Sequence, residues 1–247
     1  MKRVCIIVAY DGTNYHGWQS QPNAVTIEQI LNEQLSRLLG EDITIIGASR
    51  TDAGVHAEGN VAVFDTDTSI PPEKISLAIN RTLPDDIVIQ ESFEVEPDFH
   101  PRKCDSIKTY EYRILNRKTD MPVKSRNTYH VHRKLDVDKM REAASYFVGQ
   151  HDFRNFCSVH TQAKSTVRII YSFNIEEYDD EIILTVQGNG FLYNMVRMLT
   201  GALVEVGTGR MKAEHIPEIL ASRERNYSVN TAPAKGLTLK EIEFLDW

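Results

Sequence analysis

The sequence predicts an α+β protein made of two similar α/β halves whose sheets are largely antiparallel. Three observations predict it. Short β-branched runs alternate with segments of helical period. The first hundred or so residues follow the order strand, helix, strand, strand, helix, strand. The rest repeats that kind of order without a residue-level repeat, and no linker rich in Gly, Ser or Pro divides the two parts. The halves are expected at 1–104 and 105–247, with sheets that can run into one another.

The β-branched run at 4–9 is a first strand. It is followed by Tyr10-Asp11-Gly12-Thr13-Asn14-Tyr15-His16-Gly17-Trp18-Gln19-Ser20-Gln21-Pro22, a loop too rich in aromatic and amide side chains to be a plain connection. From Thr26 the apolar residues Ile27, Ile30, Leu31, Leu35, Leu38 and Leu39 recur at helical spacing; Thr26 suits an N-cap and Gly40 stops the pattern. Strand-like runs at 43–46 and 61–64 flank a loop at 47–57. Pro71-Pro72 start a short helix ending near Arg81, and 87–93 reads as a strand. In the second half, 109–115 alternates as a strand and 137–148 reads as a helix. The segments 166–175 and 181–186 read as a hairpin turning at Asp179-Asp180. A helix opens after Gly190, a short one spans 213–221, and 237–244 is a closing strand.

An apolar fraction of 41% supports a substantial core. No run of apolar residues reaches membrane-spanning length, and the N-terminal segment turns polar at Asp11, too soon for a signal peptide. A cytoplasmic protein is expected. Cys5, Cys104 and Cys157 are an odd number with no close pair, which argues against a disulfide framework and a thiolate zinc site.

The loop at 47–57, Gly-Ala-Ser-Arg-Thr-Asp-Ala-Gly-Val-His-Ala, carries the most unusual chemistry. Small residues around Asp52 admit a second backbone or a flat ligand, and Arg50 puts a fixed positive charge two positions from the carboxylate. A tight turn in which Asp52 caps Gly54 or Val55 explains the same residues without function.

The net charge of −7 speaks against a nucleic-acid partner, yet its distribution does not. Between 101 and 134 stand ten basic residues (Arg102, Lys103, Lys108, Arg113, Arg117, Lys118, Lys124, Arg126, Arg133 and Lys134) against three acidic ones. Tyr110 and Tyr112 interleave with them, as on a surface that grips phosphates and stacks on bases, although a solvated basic strand fits the same charges. Other motifs fail. Gly188-Asn189-Gly190 lacks the third glycine and acidic partner of a dinucleotide site. His151, Cys157 and His160 match no metal-ligand spacing, and neither a Gly-x-Ser-x-Gly elbow nor a Walker lysine is present.

Three stretches together are more specific: Tyr10-Asp11-Gly12-Thr13 through Gly17-Trp18-Gln19-Ser20-Gln21; Arg50-Thr51-Asp52-Ala53-Gly54-Val55-His56-Ala57; and Gly190-Phe191-Leu192-Tyr193-Asn194-Met195-Val196-Arg197. In this order the chain resembles the tRNA pseudouridine synthase A family over nearly its whole length. Weaker agreement comes from His151-Asp152-Phe153, Arg168-Ile169 and Ala232-Pro233-Ala234-Lys235-Gly236-Leu237, while Ser49 stands where the family more often has glycine. The resemblance implies two halves joined across a central RNA-binding cleft. It also implies isomerisation of uridine to pseudouridine at positions 38–40 of the tRNA anticodon stem-loop, without cofactor or metal. By the same resemblance Asp52 is the nucleophile, Tyr110 stacks on the target uracil and aids loss of the C5 proton, and Arg197 pairs with Asp52. Arg50 enters the space left by the flipped nucleotide. Arg102, Lys103, Arg117 and Lys118 are expected on phosphate. A tRNA-binding protein of the same fold without catalysis would have lost Asp52 or Tyr110. A hydrolase pairing Asp52 with His56 would leave Tyr110 and the basic strand unexplained. A homodimer is expected as well, because a monomer of this length has a radius of gyration of about 18 Å and is shorter than a folded tRNA.

Overall fold

The computed structural model describes residues 1–224 and 229–245. In chain order its elements are β1 (Lys2–Tyr10), α1 (Ile27–Leu39), β2 (Ile46–Gly47), β3 (His56–Thr66), α2 (Pro72–Ile79), β4 (Ile87–Val95), β5 (Ser106–Asn116), β6 (Tyr129–Val131), α3 (Val137–Ser145), β7 (Gly149–Asp152), β8 (Val167–Tyr178), β9 (Glu181–Gly188), α4 (Met195–Gly207), α5 (His215–Ala221) and β10 (Leu237–Phe244). The chain divides into two compact units, Met1–Ser106 with Leu239–Trp247, and Ile107–Thr238.

In the first unit the strand order is β4-β1-β3-β10, with β2 also on β3, and β1 is antiparallel to both neighbours. Its apolar run belongs at such a central position, where Val4, Cys5, Ile6 and Val8 are all buried. Burial pushes the Cys5 thiol up to about 12, so it stays protonated and packs as a small hydrophobe. Thr26 caps α1 by accepting from the Gln29 amide, and Gly40 ends it in the left-handed conformation at φ 69°. Helix α2 is stitched to β4 by side chains: Asn80 Nδ2 donates to the Ile89 carbonyl and its Oδ1 accepts from the Ile89 amide, both at 2.8 Å.

The predicted strand at 43–46 shrinks to β2. Ile43 and Ile45 are buried as expected, but their amides donate to Ser36 Oγ and Asn32 Oδ1, each at 2.9 Å, so helix α1 takes the bonds a strand would have needed. Strand β3 begins earlier than expected, because a bulge in β1 between Val8 and Tyr10 lets Tyr10 pair with Ala57. Closing strand β10 lies beside β3, and from Leu239 on it belongs to this first unit. Gly59 allows this approach, since a Cβ there would stand 2.7 Å from the Lys240 carbonyl oxygen.

The second unit has the order β5-β9-β8-β7, with β6 parallel to β5. The β8–β9 hairpin turns where expected, with Asp179 at φ 53°. Strands β6 and β7 were not predicted, being only three and four residues long and, in Gly-Gln-His-Asp, without apolar alternation. Helix α3 stops at Ser145 because the next amides tighten to i→i+3 bonds: Tyr146 to Ala143, Phe147 to Ala144 and Val148 to Ser145. The same bonding at His215 and Ile216 delays the start of α5.

Helix α4 is closely packed on two sides. A Cβ on Gly207 would lie 2.7 Å from Met140 Sδ of α3, and one on Gly201 would lie 1.8 Å from the Asn230 carbonyl oxygen. Gly201→Ala is therefore expected to force the 229–232 segment off the helix and to cost about 1–3 kcal/mol, read as a lower urea midpoint. An unchanged midpoint would show that the segment yields freely.

Candidate active site

The Asp52 loop is held by the first sequence motif. Tyr10 Oη and Thr51 Oγ1 are 2.7 Å apart, and Asn60 Nδ2 donates to Tyr10 Oη at 3.3 Å and to the Ser49 carbonyl at 3.0 Å. Asn60 Oδ1 accepts from the Val61 amide at 3.0 Å. All four polar residues, Ser49, Thr51, Asn60 and Tyr10, are buried, and a buried amide so satisfied is a strong local constraint. The backbone adds more: Trp18 N donates to the Thr51 carbonyl at 3.0 Å and Gly54 N to the Tyr15 carbonyl at 3.2 Å.

Two glycines make this contact possible. A Cβ on Gly12 would stand 2.0 Å from the Val55 carbonyl oxygen, and one on Gly17 would stand 2.6 Å from that of Thr51. Gly17 is also at φ +87°, a conformation L side chains resist. Trp18 fills the remaining space, only 1% exposed, with its ring over Gly47 and tilted 40° to that of Tyr10. Gly12 N donates to His56 Nδ1 at 3.1 Å, and Asp11 Oδ1 is as close, so His56 is built into the loop contact.

Within this frame Asp52 is half-buried and Arg50 is exposed. The Asp52 carbonyl accepts from the Val55 amide at 3.1 Å, and Gly54 takes φ 77°. The tight turn expected as the non-functional reading is thus present in the backbone, made by the main-chain carbonyl of Asp52. Ser49 uses its carbonyl to bind Asn60 and keeps its side chain inside.

The remaining predicted residues fall in different settings. Arg102 is exposed, yet its Nε donates to the Gly47 carbonyl at 2.9 Å and so holds the entry to the Asp52 loop; Lys103 is exposed. In the second unit, Tyr110 sits on β5 opposite Val186, 6% exposed, edge-on to Phe191 with ring centroids 5.2 Å apart. Arg197, in the first turn of α4, donates from Nε to the Ala232 carbonyl and from Nη1 to Asn194 Oδ1, each at 2.8 Å. Asn194 stands at φ 62°, and the Ala232 amide returns a bond to the Arg197 carbonyl at 3.0 Å. The same 232–236 segment binds Tyr112, whose hydroxyl donates to the Pro233 carbonyl at 2.7 Å; burial pushes this phenol far above its usual range. Arg117 pairs with Asp180 at 3.0 Å, and Lys124 pairs with Glu181, so part of the basic stretch is neutralised by the β8–β9 turn. Lys118 is exposed.

Sequence reasoning did not identify Asn60, Phe191 or the Ala232 contact as parts of the site. An amide opening the apolar run Val61-Ala62-Val63-Phe64 was the only available signal for the first.

The family model described as tRNA pseudouridine synthase matches residues 6–102 and 143–245, ranges that include Arg50, Asp52, Arg102 and Arg197 but not Tyr110. The chain is 48% identical over 244 residues to tRNA pseudouridine synthase A of Acetivibrio thermocellus, covering 99% of this chain and 100% of that protein. It is 46% identical over 244 residues to the protein of that name from Brevibacillus brevis, with the same coverage. A chain in the crystal structure of the archaeal box H/ACA sRNP Nop10-Cbf5 complex aligns with 96% of this chain and 46% of its own length, at 14% identity and a TM-score of 0.36, too distant to bear on the argument. On the family model and the full-length relatives, the chain belongs to the tRNA pseudouridine synthase family.

Proposed function

We propose that this protein isomerises uridine to pseudouridine in tRNA, at positions 38–40 of the anticodon stem-loop, and that Asp52, Tyr110 and Arg197 carry the reaction. The observation that carries the reading is Asp52 itself: a half-buried carboxylate inside the family-matched region, on a loop fixed by buried hydrogen bonds on both sides of Arg50. The chemistry breaks the N1–C1′ bond, turns the uracil while it stays bound, joins C5 to C1′ and moves the C5 proton to solvent while N1 is protonated. No electron is gained or lost, so a carboxylate, an aromatic platform and a fixed positive charge suffice. Asp52 attacks the ribose or assists cleavage of the glycosidic bond. Tyr110 stacks on the uracil and its hydroxyl aids proton removal. Arg197, oriented by Ala232 and Asn194, keeps Asp52 ionised and aimed. Arg50 fills the space left by the flipped nucleotide. The protein acts in the cytoplasm as a homodimer.

Asp52→Asn is expected to reduce tritium release from 5-labelled uridine in tRNA to below about 1% of wild type, with tRNA affinity within a few fold, because phosphate contacts dominate binding. Activity above that level refutes the nucleophile assignment. Tyr110→Phe should keep affinity and lose most turnover, whereas Tyr110→Ala should also lose the roughly 1–3 kcal/mol that base stacking contributes. Normal rates for both, with folding checked by circular dichroism, would remove Tyr110 from the reaction.

For assembly, Lys103 and Lys118 are the suitable grips to reverse, since Arg102 and Arg117 hold Gly47 and Asp180. A mixed dimer of one Asp52→Asn chain and one Lys103→Glu/Lys118→Glu chain should act on tRNA although neither parent homodimer does. A monomer by sedimentation, or a folded but inactive mixed dimer, would overturn the homodimer reading.

A further inference from the structure

Two segments of the second unit carry no carboxylate at all: 153–175 and 182–204. In a chain of net charge −7 this is a pronounced local bias, and the two segments meet. The loop 158–165 is tied at its start to the stretch that follows β9 and at its far end to Arg168 of β8. At its start, the Ser158 amide donates to the Tyr193 carbonyl at 2.9 Å. At its far end, Arg168 Nη1 donates to the Ser165 carbonyl at 3.0 Å and to that of Val167 at 2.6 Å. A Cβ on Gly190 would stand 3.7 Å from Arg168 Nε, and Asn189 and Ile169 exchange bonds at 3.0 and 3.1 Å. The start of the loop is therefore carried by the segment that holds Phe191 against Tyr110, and its far end by the β8 strand beside that segment.

What this assembly presents outward is unusual for a solvated loop. Tyr193 is 48% exposed and Val159 70% exposed, while His160 and Lys164 are exposed beside them in sequence. A tyrosine needed only for packing would be covered, as Phe191 and Leu192 are in larger part. We propose that Tyr193 and the 158–165 loop form a second RNA-contact surface, in which Tyr193 stacks on an unpaired nucleotide beside the target uridine and Lys164 contacts the backbone phosphate. Single-stranded nucleotides are the fitting occupant, because they offer both an open π-face and negative charge, and no protein carboxylate on either segment opposes them. The inference rests on the tRNA reading above and deepens it.

The test uses the full-length protein with an unmodified tRNA transcript and the isolated anticodon stem-loop RNA. Tyr193→Ala should weaken binding of both RNAs about tenfold, as loss of one stacked base implies, and Tyr193→Phe should stay within about twofold of wild type. Lys164→Ala should lower the slope of log affinity against log salt by about one, while Tyr193→Ala leaves that slope unchanged. Wild-type affinity in Tyr193→Ala overturns the proposal, as does a change in its sedimentation that accounts for the lost binding, which would mark a protein interface instead. Tritium release by the wild type separates this failure from failure of the isomerase reading: a wild type that turns over uridine while Tyr193→Ala binds normally refutes only the second surface.

Discussion

The constraint on which the first unit depends is a small buried polar network: Tyr10 Oη against Thr51 Oγ1, and Asn60 reaching both Tyr10 and the Ser49 carbonyl. Each group is out of water, so deleting one partner leaves another buried and unsatisfied, which costs more than the lost bond is worth in water. The network behaves as a unit and fixes the main chain on either side of Arg50. Rigidity is placed in the backbone of the loop, while the side chain of Arg50 is exposed and that of Asp52 half-buried. That division suits the proposed reaction, in which the Asp52 carboxylate would meet a turning base in one orientation.

The second unit reaches a comparable result with different materials. Arg197 spans the first turn of α4 and the 232–236 segment, bonding Asn194 at one point and Ala232 at another. The planar guanidinium is well suited to this, because two of its N–H groups can be committed to scaffold oxygens while the charge stays intact. Gly201 lets that segment lie directly on the helix, and Tyr112 fastens its next residue. The Ala-Pro-Ala-Lys-Gly stretch, which looked only weakly informative as sequence, is thereby the support of the arginine.

Elements whose ends are marked by their own residues were legible in advance. Helix α1, capped by Thr26 and stopped by Gly40, and strand β10 fall where the pattern put them. Misjudged boundaries trace to bonds that no local pattern encodes: the amides of Ile43 and Ile45 captured by helix side chains, and β3 extended through a bulge in a strand some fifty residues away in sequence. The return of β10 to β3 depends on a glycine, Gly59, whose reason is a backbone met only after folding. At the site, Asp52 and Arg50 stand out because their loop chemistry is odd for a turn. Asn60 does not, since its meaning lies in carbonyls and hydroxyls supplied by remote segments.

Charge was the feature most easily misread by counting. The basic surplus between 101 and 134 is real, but Arg117 and Lys124 face Asp180 and Glu181, Arg113 faces Glu111, and Arg102 serves the Gly47 carbonyl. A cation already paired with a carboxylate offers a phosphate little net attraction until that pair is broken. The field available to a polyanion is set less by where lysine and arginine are dense than by where carboxylates are missing. By that measure the segments to weigh lie after β7 and along β9 into α4, where no carboxylate stands in 153–175 or 182–204 and Lys164 is exposed, although these segments look unremarkable when basic residues alone are counted.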